Sequence, residues 1–482
     1  MKPLHLLTFL ILAALLSACA LPIEQQTPDF TAPVAWDETA TTTTQSVEKD
    51  WWSGFNSAEL EQLITQTLTA SPDIRIATER VLQAEIALRN SRAPLFPTLN
   101  LDASTRARRI QTSGSSVRTD SSNAGLDFSE TSGGTSLRTE SSRVGLSINY
   151  EIDVWGSNIA AWQGGKASFA ASRHDYEATR LSLIAGVANA YWQILALRDR
   201  LAIARHNLEI AERLFAIVEA RQRYGAASAL DLSRQRTAVM VQRDALLPLE
   251  MQERQNLRAL ALLVGEPPQG FAVAGDGLDA VVVPTVSGAL PAELLVRRPD
   301  IAAAEERLVA ASANISVARA ALFPLKLNLG LASLLASSEF AFSGLGSPVH
   351  SADAIVSLTR ALFDGGRLRG QVARSESEQR VLAENWRKVV LSSLKEVDDA
   401  LAVVHRSQIQ EQTQREIRDE TIRTLELSEL RYKEGSDSLT TLLDAQRSLF
   451  AVEDQLIQQK LSRLTATVDL YKALGGGWQL EH

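Results

Sequence analysis

Cysteine is almost missing from this chain: 482 residues carry one, Cys19, so no disulfide can form within it. The six histidines (His5, His174, His206, His350, His405 and His482) show no metal-ligand spacing, and no metal site is expected. A basic excess is absent as well. The formal charge is -8, without the electrostatic footprint of a nucleic-acid binder. There is no phosphate-cradling glycine loop and no nucleophile elbow. The carboxylate pairs Glu305-Glu306 and Asp398-Asp399 fall in helical pattern, where they read as solvated faces. The chain is therefore expected not to be an enzyme. Proline is absent from 157–223 and from 366–432, and no apolar run is long enough to cross a bilayer as a helix.

What is present begins at the N-terminus. Lys2 precedes an apolar run from Leu6 to Leu16, broken only by Thr8, and Leu16-Ser17-Ala18-Cys19 follows. The run has the length of a signal-peptide core. The last four residues resemble the bacterial lipobox, in which the chain is cut before the cysteine and the cysteine is acylated. Residues 1–18 are then a signal peptide, and covalent lipid on Cys19 is the one added group expected; no cofactor is. Acyl chains supply roughly 0.8 kcal/mol per buried CH₂, and several make a stable anchor. Ala20, rather than aspartate, favours the outer membrane under the usual sorting pattern.

The chain then repeats itself. Residues 72–97 and 299–324 align without gaps at 12 of 26 positions, including Pro72/Pro299, Asp73/Asp300, Arg80/Arg307, Arg92/Arg319 and Phe96-Pro97/Phe323-Pro324. After each Phe-Pro stop the period changes to two. Leu99, Leu101 and Ala103 alternate with polar residues, as do Val144, Leu146, Ile148, Tyr150 and Ile152, and in the second half Leu325, Leu327, Leu329, Ala354, Val356 and Leu358. Such alternation predicts strands with one apolar and one polar face, one pair in each half. Long helical stretches follow. Leu183, Val187, Ala190, Ile194, Leu197, Leu201, Ala204, Leu208, Ala211, Phe215 and Val218 step by four and three, a coiled-coil seam. A helix over 157–223 would be about 100 Å long, more than a compact globular domain needs.

The divisions read as 19–56, an anchor and extended segment; 57–97, a short helix; 98–153, strands and a loop; 157–264, a helical hairpin returning over Ala226–Val264; and 265–291, a linker. The second half follows as 292–324, a short helix; 325–364, strands and a loop; 366–474, a second hairpin returning over Ser436–Leu474; and 475–482, a tail. Four strands cannot close a barrel, and open edges are not tolerated in lipid. The strands either form a small soluble sheet on helices, or several chains pool them. Three chains would give about twelve strands around a water-filled pore.

Several motifs now carry a family resemblance: Trp51-Trp52-Ser53-Gly54-Phe55 with Leu60, Leu63 and Ile64; Arg298-Pro299-Asp300-Ile301; Ala321-Leu322-Phe323-Pro324; Phe363-Asp364-Gly365-Gly366; Arg431-Tyr432 with Gly435; and Leu443-Asp444-Ala445-Gln446-Arg447. In order and spacing the set resembles the outer membrane efflux factors of the TolC/OprM type, in their lipoprotein branch. The resemblance implies a mainly α fold with a transmembrane β-barrel part. A homotrimer would share one outer-membrane barrel, continued by a long α-helical barrel in the periplasm. The implied partners are a periplasmic adaptor, an inner-membrane pump of the resistance-nodulation-division class and outer-membrane lipid, with no nucleic acid. The implied function is an exit duct for drugs or other small molecules; a type I protein-secretion duct and a structural periplasm-spanning lipoprotein are the alternatives. The resemblance further implies that the hairpin ends close the duct. Asp444 matches a carboxylate ring in the pore, with Arg447 on the same helix face. Asp231 and Tyr432 match positions that link neighbouring hairpins, and Leu439 and Thr440 lie beside them. Arg221, Gly225, Arg431 and Gly435 mark the tips expected to meet the adaptor. Asp437 stands where the TolC pattern has a bridging arginine and Thr441 where it has a carboxylate, so those contacts are not expected here.

Overall fold

The protein is described from a computed structural model covering residues 30–33, 35–36, 48–112, 127–131, 134–284, 297–323, 326–337, 349–359 and 363–478. The signal segment 1–18, Cys19 and the final residues 479–482 lie outside the described residues, as does 285–291 at the end of the linker. The elements run in order as α1 (Ala58–Ala70), α2 (Pro72–Arg92), β1 (Thr98–Thr112), β2 (Asp127–Thr131), β3 (Gly134–Ile152), α3 (Ser157–Arg223), α4 (Ala229–Val264), α5 (Pro299–Ala320), β4 (Lys326–Ser337), β5 (Val349–Thr359), α6 (Arg367–Lys433) and α7 (Leu439–Ala473). Each of α3 and α6 is unbroken over 67 residues.

Two expectations need correction. The short helix at Ser57–Arg92 is two helices. Pro72 has no N–H to donate and drives Ser71 to an extended ψ of 131°, so α1 stops and α2 restarts with proline in its first position. The same preference puts Pro299 in the first position of α5; residues 292–296, where the second short helix was expected to begin, lie outside the described residues. The first half also holds three strands instead of two. β3 is 19 residues long and outlasts β4, and β2 pairs with its far end, Thr131 opposite Gly134.

The chain forms two compact units. One comprises residues 85–169 and 308–382 and contains the sheet, in the order β1-β3-β4-β5, with every described neighbouring pair antiparallel. The register opposes like with like: Leu99 pairs with Ile148 and Leu101 with Leu146, while Asn100 pairs with Ser147. Ile148 and Tyr150 continue to Leu331 and Leu329 of β4. The apolar row is not covered: Leu99 is 67% and Leu101 70% exposed. On the opposite row Ser147 donates to Asp102 at 3.2 Å. Among the described residues, β1 and β5 have no strand on their outer edges.

The other unit comprises residues 27–84, 170–307 and 383–482. Its main core gathers Trp51, Phe55, Leu60 and Ile64 against Ile184, Ala188, Trp192 and Leu195 of α3, Leu260 and Val264 of α4, and Leu464, Val468 and Tyr471 of α7. Trp51 stacks on Tyr471 with ring centroids 5.0 Å apart, and Phe55 meets Trp192 at 5.4 Å. The linker is pinned here as a strap. Glu59 of α1 accepts from the backbone N–H groups of Ala274 and Gly275 and from the Tyr191 hydroxyl. Asp199 of α3 accepts from Leu278 N–H at 2.8 Å, and Lys460 of α7 donates to Asp279 at 2.6 Å.

Candidate gate and docking site at the hairpin ends

The two helical hairpins turn on one pattern. At the first, Ala226 N–H reaches Arg221 C=O at 2.7 Å and Gly225 N–H reaches Gln222 C=O at 3.0 Å. At the second, Ser436 N–H reaches Arg431 C=O at 3.0 Å and Gly435 N–H reaches Tyr432 C=O at 3.1 Å. Gly225 and Gly435 sit at φ +76° and +77°, the left-handed conformation that ends a helix in this way and that side chains resist. The returns begin later than Ala226 and Ser436, because Ser228 and Ser438 take the N-cap and accept from the N–H of Asp231 and Thr441.

Asp231 completes a capping box. Its carboxylate accepts from Ser228 N–H at 3.1 Å and from the Ser228 hydroxyl at 2.8 Å. Those two bonds, with Arg234 nearby, hold it below the ordinary carboxylate range. Within this chain Asp231 thus shapes the helix start. Asp437 is likewise held low by Ser438 N–H and Thr441, with Arg431 at 3.7 Å.

The two hairpins are joined at their tips. Arg221 of α3 lies over the Tyr432 ring at 4.7 Å and donates to the Tyr432 carbonyl. Tyr432 is buried, and burial pushes its phenol up, opposed by Arg221 and reinforced by Asp231. Tyr432, Leu439, Leu442, Leu443 and Leu449 pack with Ile210, Leu214 and Val218 of α3 in one apolar cluster. Leu439, expected beside the gate, is therefore part of the packing that holds the hairpins. Arg221, expected at the docking tip, is occupied by Tyr432.

Thr440, Asp444 and Arg447 are spaced by four and three along α7, and all are exposed. Asp444 and Arg447 approach to 3.9 Å, the loose end of an ion pair. Arg431 is exposed at the second tip. Two residues not singled out from sequence are prominent at the first tip: Tyr224 is 85% and Leu230 59% exposed. The signal was available, since a large aromatic beside a turn glycine has no hairpin core to enter.

Among the described residues no group of His, Cys, Asp and Glu could hold a metal ion, and no helix is long and apolar enough to cross a membrane. The arrangement offers two tightly turned, cross-braced hairpin ends carrying an exposed polar stripe and an exposed apolar pair. Comparison with known proteins gives this a context. The family model described as "Outer membrane efflux protein" matches residues 63–266 and 290–476. The pyoverdine export outer membrane protein OpmQ of Pseudomonas aeruginosa is 37% identical, over 99% of this chain and 98% of its own length. The probable efflux pump outer membrane protein TtgC of Pseudomonas putida is 31% identical, over 98% and 96%. The outer-membrane channel OprN superposes with a TM-score of 0.81 at 25% identity, covering 95% of this chain and all of that one. Motifs, fold and relatives agree: the chain belongs to the outer membrane efflux protein family, whose members are outer-membrane channels that extend into the periplasm.

Proposed function

We propose that three copies of this chain form one export duct. Each copy contributes its sheet to a shared outer-membrane barrel, with the apolar row (Leu99, Leu101, Ile148) facing lipid and the polar row (Asn100, Asp102, Ser147) lining water. The observation that carries this reading is the sheet itself. Among the described residues its edges at β1 and β5 carry no further strand, and Leu99, Leu101 and Ile148 are exposed. Both would be intolerable in lipid unless other chains completed the ring. The paired hairpins then form the periplasmic conduit. Cys19 carries lipid, and an inner-membrane pump of the resistance-nodulation-division class feeds the duct through a periplasmic adaptor at the hairpin tips. Asp444 from each copy converges on the axis, with Arg447 offsetting the repulsion.

The cargo we assign is a small molecule of the siderophore or drug class. Pyoverdine, a small molecule rather than a polypeptide, is what the OpmQ relative is named for exporting. The test is accumulation. A strain lacking the chain should retain siderophore in its periplasm and recover export on complementation. Unchanged export in that strain, with a secreted polypeptide retained instead, would reverse the assignment.

A further inference from the structure

Where strands give way to helices, the sheet-bearing unit carries a collar of uncovered aromatic rings and unpaired cations. Phe363 is 92% and Phe96 53% exposed, directly beyond the ends of β5 and β1. Arg92 lies over the Phe96 ring at 5.3 Å, and Lys166 over the Trp162 ring at 3.5 Å. Arg367 and Arg369 open α6 four and six residues after Phe363. Arg92 stands six residues before β1, and Lys166 nine residues into α3, about two and a half helical turns.

Two carboxylates of this region cap helix starts, and others pair with neighbouring arginines. Asp153 accepts from Ile159 N–H at 2.9 Å at the start of α3, and Asp364 from Gly366 and Leu368 N–H at 2.9 and 3.0 Å at the start of α6. Arg89, Arg319 and Arg374 find Glu85, Glu376 and Glu378. Among the described residues, Arg92, Lys166, Arg367 and Arg369 form no ion pair. Arg367 has the Asp364 charge nearby, while Arg92 and Lys166 face rings, and together with Arg369 these cations sit beside exposed aromatic residues at the rim of an apolar surface. Rings rest at the level where acyl chains meet headgroups, and cations there face phosphate.

We propose that this collar binds the phosphate headgroups of anionic phospholipids in the periplasm-facing leaflet, fixing the depth at which the duct sits. The proposal rests on the membrane-spanning reading of the strands. Arg92 and Lys166, each held over a ring, place their charge beside the phosphate while the ring packs against the upper acyl chain. Arg367 and Arg369 do the same from the start of α6, beside Phe363.

The experiment compares unfolding midpoints of the full-length protein in phosphatidylcholine vesicles with and without phosphatidylglycerol. The wild type should unfold several degrees higher in the anionic mixture, and the gain should shrink at high salt. Replacing all four residues (Arg92→Gln, Lys166→Gln, Arg367→Gln, Arg369→Gln) should remove most of that gain and leave the midpoint in pure phosphatidylcholine unchanged. A control pair on α4, Arg234→Gln with Arg258→Gln, should keep the gain. Three results would overturn the proposal: a gain that survives the fourfold change, a gain lost equally in the control, or a gain reproduced by inorganic phosphate in pure phosphatidylcholine. Vesicle flotation, scored separately, shows insertion; failure to insert in either lipid would overturn the reading beneath it.

Discussion

Single residues in this chain divide into those that brace and those left free to act. Glu59 braces. Burial pushes its carboxyl up, but the N–H groups of Ala274 and Gly275, the Tyr191 hydroxyl and Arg198 outweigh it and hold it below the ordinary glutamate range. A carboxylate whose folded pKa is depressed stabilises above its unfolded pKa, and that stability is lost as pH falls through the folded value. Glu59→Gln should therefore cost on the order of 1–3 kcal/mol at neutral pH, the worth of hydrogen bonds to a charged group. In unfolding measurements the difference from wild type should narrow below about pH 4.5; a constant difference would mean the strap does not use the charge. Asp444 and Arg447 behave oppositely. As an exposed pair at 3.9 Å they contribute at most about 1 kcal/mol to the fold. Asp444→Ala should leave the midpoint in place and weaken cation preference in single-channel recordings. Arg447→Ala should raise the open fraction, and unaltered selectivity and conductance in both would leave them plain surface charges. The helix-face pairing of Asp444 with Arg447 was legible from spacing alone. The occupation of Arg221 by Tyr432 was not, because those residues are 211 positions apart and only the tertiary fold brings them together.

At the scale of elements, the sequence is most readable where one period dominates. The seam from Leu183 to Val218 is largely buried as its spacing demands, and Phe-Pro and Gly mark where helices stop. Local stops inside a periodic stretch were harder. Helical periodicity runs on through 57–92, so it took the restriction that Pro72 places on Ser71 to split α1 from α2. β2 was missed because it lies in a polar Ser/Thr/Gly stretch with no apolar alternation to announce it; only the length of β3 provides its partner. The hairpin turns make a further prediction. Any side chain at Gly225 or Gly435 must adopt φ near +76°, a strain of about 1–3 kcal/mol confined to the tip. Gly225→Asp and Gly435→Asp should block export while trimer and surface levels stay normal. Tyr224→Ala with Leu230→Ser should weaken adaptor binding without strain, which separates a lost contact from a distorted turn. Ser228→Ala should instead cost about 0.5–2 kcal/mol through the lost cap, and should be seen as fraying of the α4 start by hydrogen exchange.

At the scale of the whole molecule, the described residues leave surfaces that the proposed trimer would cover: an apolar sheet face, two edges with no described partner strand, and Leu391, Val403, Ile409 and Leu427 exposed on the 67-residue α6. Composition pointed away from nucleic-acid partners and offered no catalytic constellation, but it could not count protomers, because closure depends on strand tilt and stagger that no sequence period encodes. The scarcity of cysteine makes closure directly measurable. Cys19 is the single native thiol, so engineered pairs have at most one competitor. A cysteine at Ile355 of β5, tested against cysteines placed in turn at Thr98, Asn100 and Leu101 of β1, should crosslink between chains in the outer membrane and yield a covalent ladder that ends at three chains. Crosslinking confined to one chain, or a ladder running past three, would contradict the shared barrel.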